Sequence, residues 1–205
     1  MADHDPTPEA ALRPRRANRG RPEETRERLT AAAAVTFNRR GYGAVDAAAI
    51  AAEAGYAVGT FYRHFDDKRA ALIAAYERWV AGECRDLLRV FSEDRPAEEI
   101  APTIVQIVLE AHVRWRGLRS AFFSLLDDPE VRAVYVKQRA GQFRILETVR
   151  SARGGELRTR EQDAVLLLLF ERTCDAIANG DMELLGLDRS AVDAILREAL
   201  VEALG

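Results

Sequence analysis

Apolar residues recur along this chain at intervals of three and four, the spacing of one helical face. From Thr25 to Arg40 that face carries Leu29, Ala32, Ala33 and Phe37, and Gly41 is placed to end it. Asp46 is a helix-capping residue for a short helix through Ala54, which Gly55 breaks. A second short helix is predicted from Val58 to Phe65. Asp66 and Asp67 then stand where capping oxygens belong, opening a long helix toward Arg89. Beyond a loop at Arg95-Pro96, a helix carries Ile100, Ile104, Ile107, Val108, Ala111 and Trp115. A short apolar helix from about Leu118 to Leu126 stops at Asp127-Asp128-Pro129. The next carries Val131, Val134, Tyr135, Ile145 and Val149 and breaks at Gly154-Gly155. The last two span about Arg160 to Asn179, ending at Gly180, and Asp188 to Leu204. No segment of useful length alternates as a strand does, and no repeat is present. The expected fold is all-α, with about nine helices joined by short connections.

Composition narrows the class. The 205 residues hold 30 Lys+Arg and 33 Asp+Glu, with 48% hydrophobic and 31% charged, so a folded domain with a real core is expected rather than a disordered acidic chain. No aliphatic/aromatic run is longer than the seven residues of Ala164 to Phe170, too short to span a bilayer. The start, with Asp3, His4 and Asp5, lacks the apolar stretch of a secretion signal. Cys84 and Cys174 lie 90 positions apart, in no metal or redox spacing. These features lead to the expectation of a soluble protein of the reducing cytoplasm.

The net charge of −3 hides an asymmetry. Residues 13–65 contain ten basic and five acidic side chains, whereas residues 81–205 contain 17 basic and 22 acidic ones. One module is thereby suited to a polyanion and the other is not. Much of the front surplus is local. Arg13, Arg15, Arg16, Arg19 and Arg21 fall beside Pro14, Gly20 and Pro22, which predicts a flexible basic arm.

The stretch Ile50 to Phe61 has helix-turn-helix spacing. Ala51 is small where a second helix must cross, and Gly55, four residues on, supplies a left-handed turn. Ile50 and Phe61 are placed to pack the two helices together. The second helix can then enter a DNA major groove with its first residues toward the bases. Val58, Gly59, Thr60, Tyr62, Arg63, His64 and Lys68 are the candidate DNA contacts. Gly59 permits close approach to a phosphate, and Thr60 offers a hydroxyl and a methyl. Tyr62 and His64 can donate to phosphate oxygens, and Lys68 adds a point charge.

The run Gly59-Thr60-Phe61-Tyr62-Arg63-His64-Phe65 with Lys68 resembles the TetR family of transcriptional regulators. So do Phe37, Gly41-Tyr42, Ile50-Ala51 and Ala54-Gly55. The resemblance is specific over about Thr25 to Leu72. It implies a bacterial homodimer, nucleoid-associated when bound, that grips a roughly palindromic operator. A small effector in its helical body would usually release the DNA. Four positions depart from the pattern. Val45 and Ala57 stand where many members have Thr or Ser, Thr36 replaces a usual Leu, and Tyr56 replaces a small apolar residue. A lost helix cap costs about 1 kcal/mol. The arm offers another contact, since Arg19-Gly20-Arg21-Pro22 has the core of an AT-hook that places arginines in a narrow minor groove.

The expected organisation is an arm over 1–22, a DNA-binding head over 23–68, and a ligand-binding and dimerisation body over 69–205. In the body, Val165 to Phe170 are all apolar and cover every side of a helix, so both faces need partners. Leu166 and Phe170, with Val192, Ile195, Leu196 and Leu200 of the final helix, are the candidate dimer contacts. The family pattern of a four-helix dimer bundle fits them. Effector-pocket candidates are the polar and aromatic residues on apolar stripes: His112, Trp115, Phe122, Phe123, Tyr135, Gln138 and Gln142.

No catalytic pattern emerges. His4, His64 and His112 form no paired spacing, and there is no Gly-x-Ser-x-Gly or phosphate loop. A non-enzymatic protein without metal or cofactor is therefore expected. Two readings stay open: a repressor released by an effector, and a ligand-binding protein or activator with weakened or effector-independent DNA binding.

Overall fold

A computed structural model describes residues 22–154 and 158–204, and among them ten helices and no strand. In chain order they are α1 (Pro22–Arg40), α2 (Ala47–Glu53), α3 (Val58–Phe61), α4 (Lys68–Phe91), α5 (Ala97–Arg114), α6 (Arg116–Phe123), α7 (Pro129–Ala152), α8 (Arg160–Asn179), α9 (Asp181–Leu184) and α10 (Arg189–Leu204).

The local reasons are largely those the sequence offers. Asp46 accepts from the Ala49 amide at 2.8 Å, and Asp67 accepts from Ala70 at 2.8 Å. Asp128 accepts from Glu130 and Val131, with Pro129 as the first helical residue. α1 begins three residues before the expected start at Thr25, because Pro22 suits a first helical position. Gly180, at φ +81°, closes α8, and one further turn, α9, follows before α10. That turn raises the count from nine to ten. The recognition segment is shorter than expected. α3 ends at Phe61 and continues to Phe65 as turns, with Phe65 N donating to Phe61 O at 3.0 Å.

Two cores form. The first gathers α1–α3 around Leu29, Phe37, Ile50 and Phe61, and runs on through Leu72 and Tyr76 of α4 to Leu118 and Phe122 of α6. The second joins α5, α8 and α10 around Ile100, Ile104, Val105, Cys174 and Leu200. α6, the first half of α4 and Val131 of α7 thus share one core with α1–α3.

Candidate nucleic-acid interface and effector cavity

The helix-turn-helix closes through its backbone. Gly55 takes φ +78°, and the Tyr56 amide donates back to Ala51 O at 2.8 Å. Ile50, Ala51 and Phe61 are fully buried and fix the crossing of α2 and α3. Phe65 is buried beside Phe61, ring centroids 5.5 Å apart. With these aromatics inward, Val58, Gly59, Tyr62 and Arg63 form one exposed face, and Tyr62 is 59% exposed. Thr60 and His64 lie half-buried at its edge. Arg63 Nη2 donates to Thr60 Oγ1 at 2.9 Å, so these two present as a unit.

Lys68 stands elsewhere. Its Nζ donates to Tyr42 O at 3.0 Å and Val45 O at 2.8 Å, and lies 4.3 Å from the centre of the Tyr42 ring. It clasps the α1–α2 loop, with its charge turned into the head. Arg19 and Arg21 lie outside the described residues.

The departures from the family pattern have local explanations. Val45 is buried in the core of the head. Thr36 satisfies its hydroxyl on Ala32 O at 2.7 Å. Tyr56 lies under the Arg28 guanidinium, 4.9 Å from its ring centre. Ala57 starts α3 with no side-chain cap. Two arginines that sequence reasoning passed over complete the head. Arg28 donates to Ala54 O at 3.1 Å and Arg26 to His64 O at 2.5 Å, tying α1 to the ends of α2 and α3. Their targets are carbonyls brought near by folding, and no sequence spacing marks them.

The body contains an apolar cavity of about 90 Å³ among α4, α5, α7, α8 and α10. Leu87, Phe91, Ile104, Val108, Phe170 and Leu200 form most of its wall, and Glu83, Gln142 and Glu171 supply its polar groups. Of the residues predicted to hold an effector, Gln142 is on this wall. Phe123 and Tyr135 line an open groove on the other side of Glu171, together with Arg116, Arg119, Arg139 and Arg172. Trp115 lines a third groove beside Trp79 and Arg78. Gln138 is half-buried on α7, away from the lining of the cavity. Phe122 is fully buried and stacks on Tyr76 at 3.6 Å. Sequence reasoning missed Leu87, Ile104 and Val108, whose apolar stripes look the same as core.

Behind the cavity runs a charged network. His112, 1% exposed, meets Asp175 at 3.0 Å, and Arg119 grips the same carboxylate at 3.0 and 2.8 Å. Burial alone would raise the pKa of Asp175, but the hydrogen bonds from His112 and Arg119 outweigh it and hold the carboxyl down at about 2. An ionised Asp175 only accepts, so His112 carries its proton on Nδ1. Arg139 pairs with Glu171 and donates to Gln142 Oε1 at 3.1 Å. Burial and the neighbouring Glu171 push the carboxyl of Glu83 up to about 7.

The candidate dimer residues divide. Leu196 and Leu200 are buried against the body, and Leu166, Phe170 and Leu200 line the cavity. Val192 is half-buried, and Ile195 is 62% exposed. The outward stripe of α8 is instead Val165, Leu168 and Leu169. α8 is rotated so that the residues expected at an interface face inward, because α5 claims that side. Among the described residues no helix is long and apolar enough to cross a membrane.

Comparison with known proteins agrees with this geometry. Residues 29–75 match the family described as bacterial regulatory proteins, tetR family. No curated protein matches in sequence. Among solved structures, the fatty acid degradation regulator FadR from Bacillus halodurans superposes with a TM-score of 0.65 at 18% identity, covering 86% of this chain and 94% of that one. A TetR family transcription regulator from Marinobacter aquaeolei VT8 gives 0.62 at 15% identity, covering 88% and 95%. The multidrug binding protein EbrR, solved with imidazole, gives 0.59 at 18% identity, covering 87% and 93%. Residues 29–75 are thus similar to the bacterial regulatory proteins of the tetR family, and the described chain shares the all-helical fold of these solved structures.

Proposed function

We propose that this protein is a homodimeric, sequence-specific transcriptional repressor that a small-molecule effector releases from a palindromic operator. The observation that carries the reading is the exposed face of Val58, Gly59, Tyr62 and Arg63, held rigid by Phe61 and Phe65 beneath it. A short exposed face carrying Tyr62 and Arg63 on a buried aromatic base suits base edges and phosphates in a major groove. Two such faces must stand about 34–36 Å apart to enter successive grooves. The exposed stripe Val165, Leu168 and Leu169, with Ile195, is the proposed dimer contact. The apolar cavity is the proposed effector site. Arg19 and Arg21 are proposed to enter an A/T-rich minor groove beside each half-site. The setting is the bacterial cytoplasm.

An effector acts here only by its differential affinity for two arrangements of the dimer. The test is binding of the purified protein to its own upstream DNA at two salt concentrations, followed by footprinting. A salt-sensitive complex protecting two half-sites one turn apart supports the reading. A folded dimer that binds no fragment at low salt, even after unfolding and refolding to strip bound ligand, overturns it. A second reading, a regulator with weakened DNA affinity, is favoured by the uncapped start of α3 at Ala57 and the inward Lys68. A complex at low salt that shows no preference among fragments would select it.

A further inference from the structure

The chemistry of the cavity wall has one sign. Its ionisable residues are Glu83, Cys84 and Glu171, and no cation lines it. The nearby guanidiniums are committed to other groups. Arg139 is paired with Glu171, and Arg119 is gripped by Asp175, whose other oxygen contact is His112. Glu171 is therefore neutralised. Glu83 has no hydrogen-bond or ion-pair partner among the described residues. The cavity thus offers one uncompensated carboxyl beside an apolar channel formed by Leu87, Phe91, Ile104, Val108 and Phe170.

We propose that this cavity binds a slender aliphatic amine, with its ammonium on Glu83 and its alkyl chain along Leu87, Phe91, Ile104, Val108 and Phe170. The proposal rests on the reading of the body as an effector site and names the class of that effector. An aliphatic carboxylate of the same length would bring a second negative charge beside Glu83 and Glu171, without a free cation to meet it. A neutral alcohol can hydrogen-bond Glu83 but forgoes the charge-assisted contact. Size also selects. At about 90 Å³, against the roughly 150 Å³ that takes up benzene, the cavity admits only a short unbranched chain of a few carbons.

Protonation follows the same logic. Glu83 faces Cys84 on its own helix, Arg119 on α6, Arg139 on α7, and Glu171 and Asp175 on α8, while α5 and α10 contribute apolar Ile104, Val108 and Leu200; on its outer side it borders the groove that holds Arg78, Arg85, Asp86, Glu110 and Arg114. Its carboxyl, pushed up by burial and by Glu171, is partly protonated near neutrality, and an ammonium would ionise it. Amine affinity is therefore expected to rise between pH 6 and pH 8.

The experiment is calorimetric titration of the full chain with butylamine, butanol and butanoate, on wild type and Glu83→Gln. Butylamine is expected to bind wild type at least about tenfold tighter than butanol or butanoate, as a charge-assisted contact warrants. Glu83→Gln is expected to remove that advantage and leave butanol binding within about twofold, since the apolar channel is intact. Butanoate binding tighter than butylamine, or butylamine binding unchanged in Glu83→Gln, overturns the proposal. The ranking of the three ligands on wild type needs no variant, so misfolding of Glu83→Gln leaves the test intact. DNA binding by the same preparation separates the two readings. Intact DNA binding with no butylamine uptake sinks the amine alone. Butylamine uptake without DNA release keeps the amine and sinks release by it.

Discussion

Asn38 on α1 and Gly117 on α6 touch so closely that a Cβ on Gly117 would fall 2.0 Å from the Asn38 carbonyl oxygen. The Asn38 side chain then straddles the α5–α6 break. Its Nδ2 donates to Arg114 O at 2.9 Å, and its Oδ1 accepts from Leu118 N at 3.1 Å. This contact seats α6 on α1. Arg119, two residues past the glycine, reaches Asp175 of α8 in the network behind the cavity. A continuous set of contacts therefore links cavity, α6 and head, beside the longer route through α4.

Gly117→Ala is expected to force α1 and α6 apart and to cost about 1–3 kcal/mol, as overpacking does. A thermal melt several degrees below wild type would show it. Asn38→Ala removes the two hydrogen bonds without adding bulk and should cost about 1–3 kcal/mol by leaving them unmade. A Gly117→Ala melt equal to wild type would mean that the contact relaxes freely.

Lys68 and Arg63 should separate in their effects. Lys68→Ala removes two hydrogen bonds to carbonyls and the contact with Tyr42, so a stability loss of about 1–3 kcal/mol is expected. The salt dependence of DNA binding should barely change. Arg63 is exposed and bonded only to Thr60 within the described residues. Arg63→Ala should leave the melt near wild type and reduce the salt slope by about one. The reverse assignment in the two titrations would place Lys68, and not Arg63, on the phosphates.

Asp175 makes a pH prediction. Its carboxyl is held at about 2 against an ordinary 3.8, so the folded state keeps it ionised where the unfolded chain takes up a proton. That stabilisation, about 2 kcal/mol, is present above pH 4 and is lost as pH falls toward 2. Asp175→Asn leaves Arg119 buried without its anion, at a cost of about 3–5 kcal/mol. It should also flatten the stability curve between pH 4 and 2. Urea melts across that range check it, and an unchanged acid limb would assign the loss to other carboxylates.

These positions mark where sequence reading succeeds and stops. Asp46, Asp67 and Gly55 act on residues within five positions, so their roles are legible from order alone. The direction of Lys68 depends on where Tyr42 and Val45 come to rest, which is a tertiary fact. Glu83 sits in the ordinary-looking run Gly82-Glu83-Cys84-Arg85, and only the packing of α8 turns it toward a cavity. In Val165 to Phe170, six apolar residues in succession leave the rotation of α8 undetermined by periodicity. α5 decides it, and α5 lies about 60 residues away.

That rotation gives the last prediction. Val165, Leu168 and Leu169 are 57%, 48% and 64% exposed, and their spacing of three and four puts them on one stripe. Such a stripe is costly to leave in water and is the natural contact for a second copy. Leu169→Arg with Ile195→Arg should shift sedimentation from dimer to monomer while the melt of the monomer stays cooperative. Leu196→Arg, by contrast, places a charge in a buried site and should unfold the body. Operator binding should fall with the dimer, because one head gains nothing from the second half-site. A Leu169→Arg/Ile195→Arg protein that remains dimeric would move the interface off this stripe, and operator binding would then be expected to survive in the same protein.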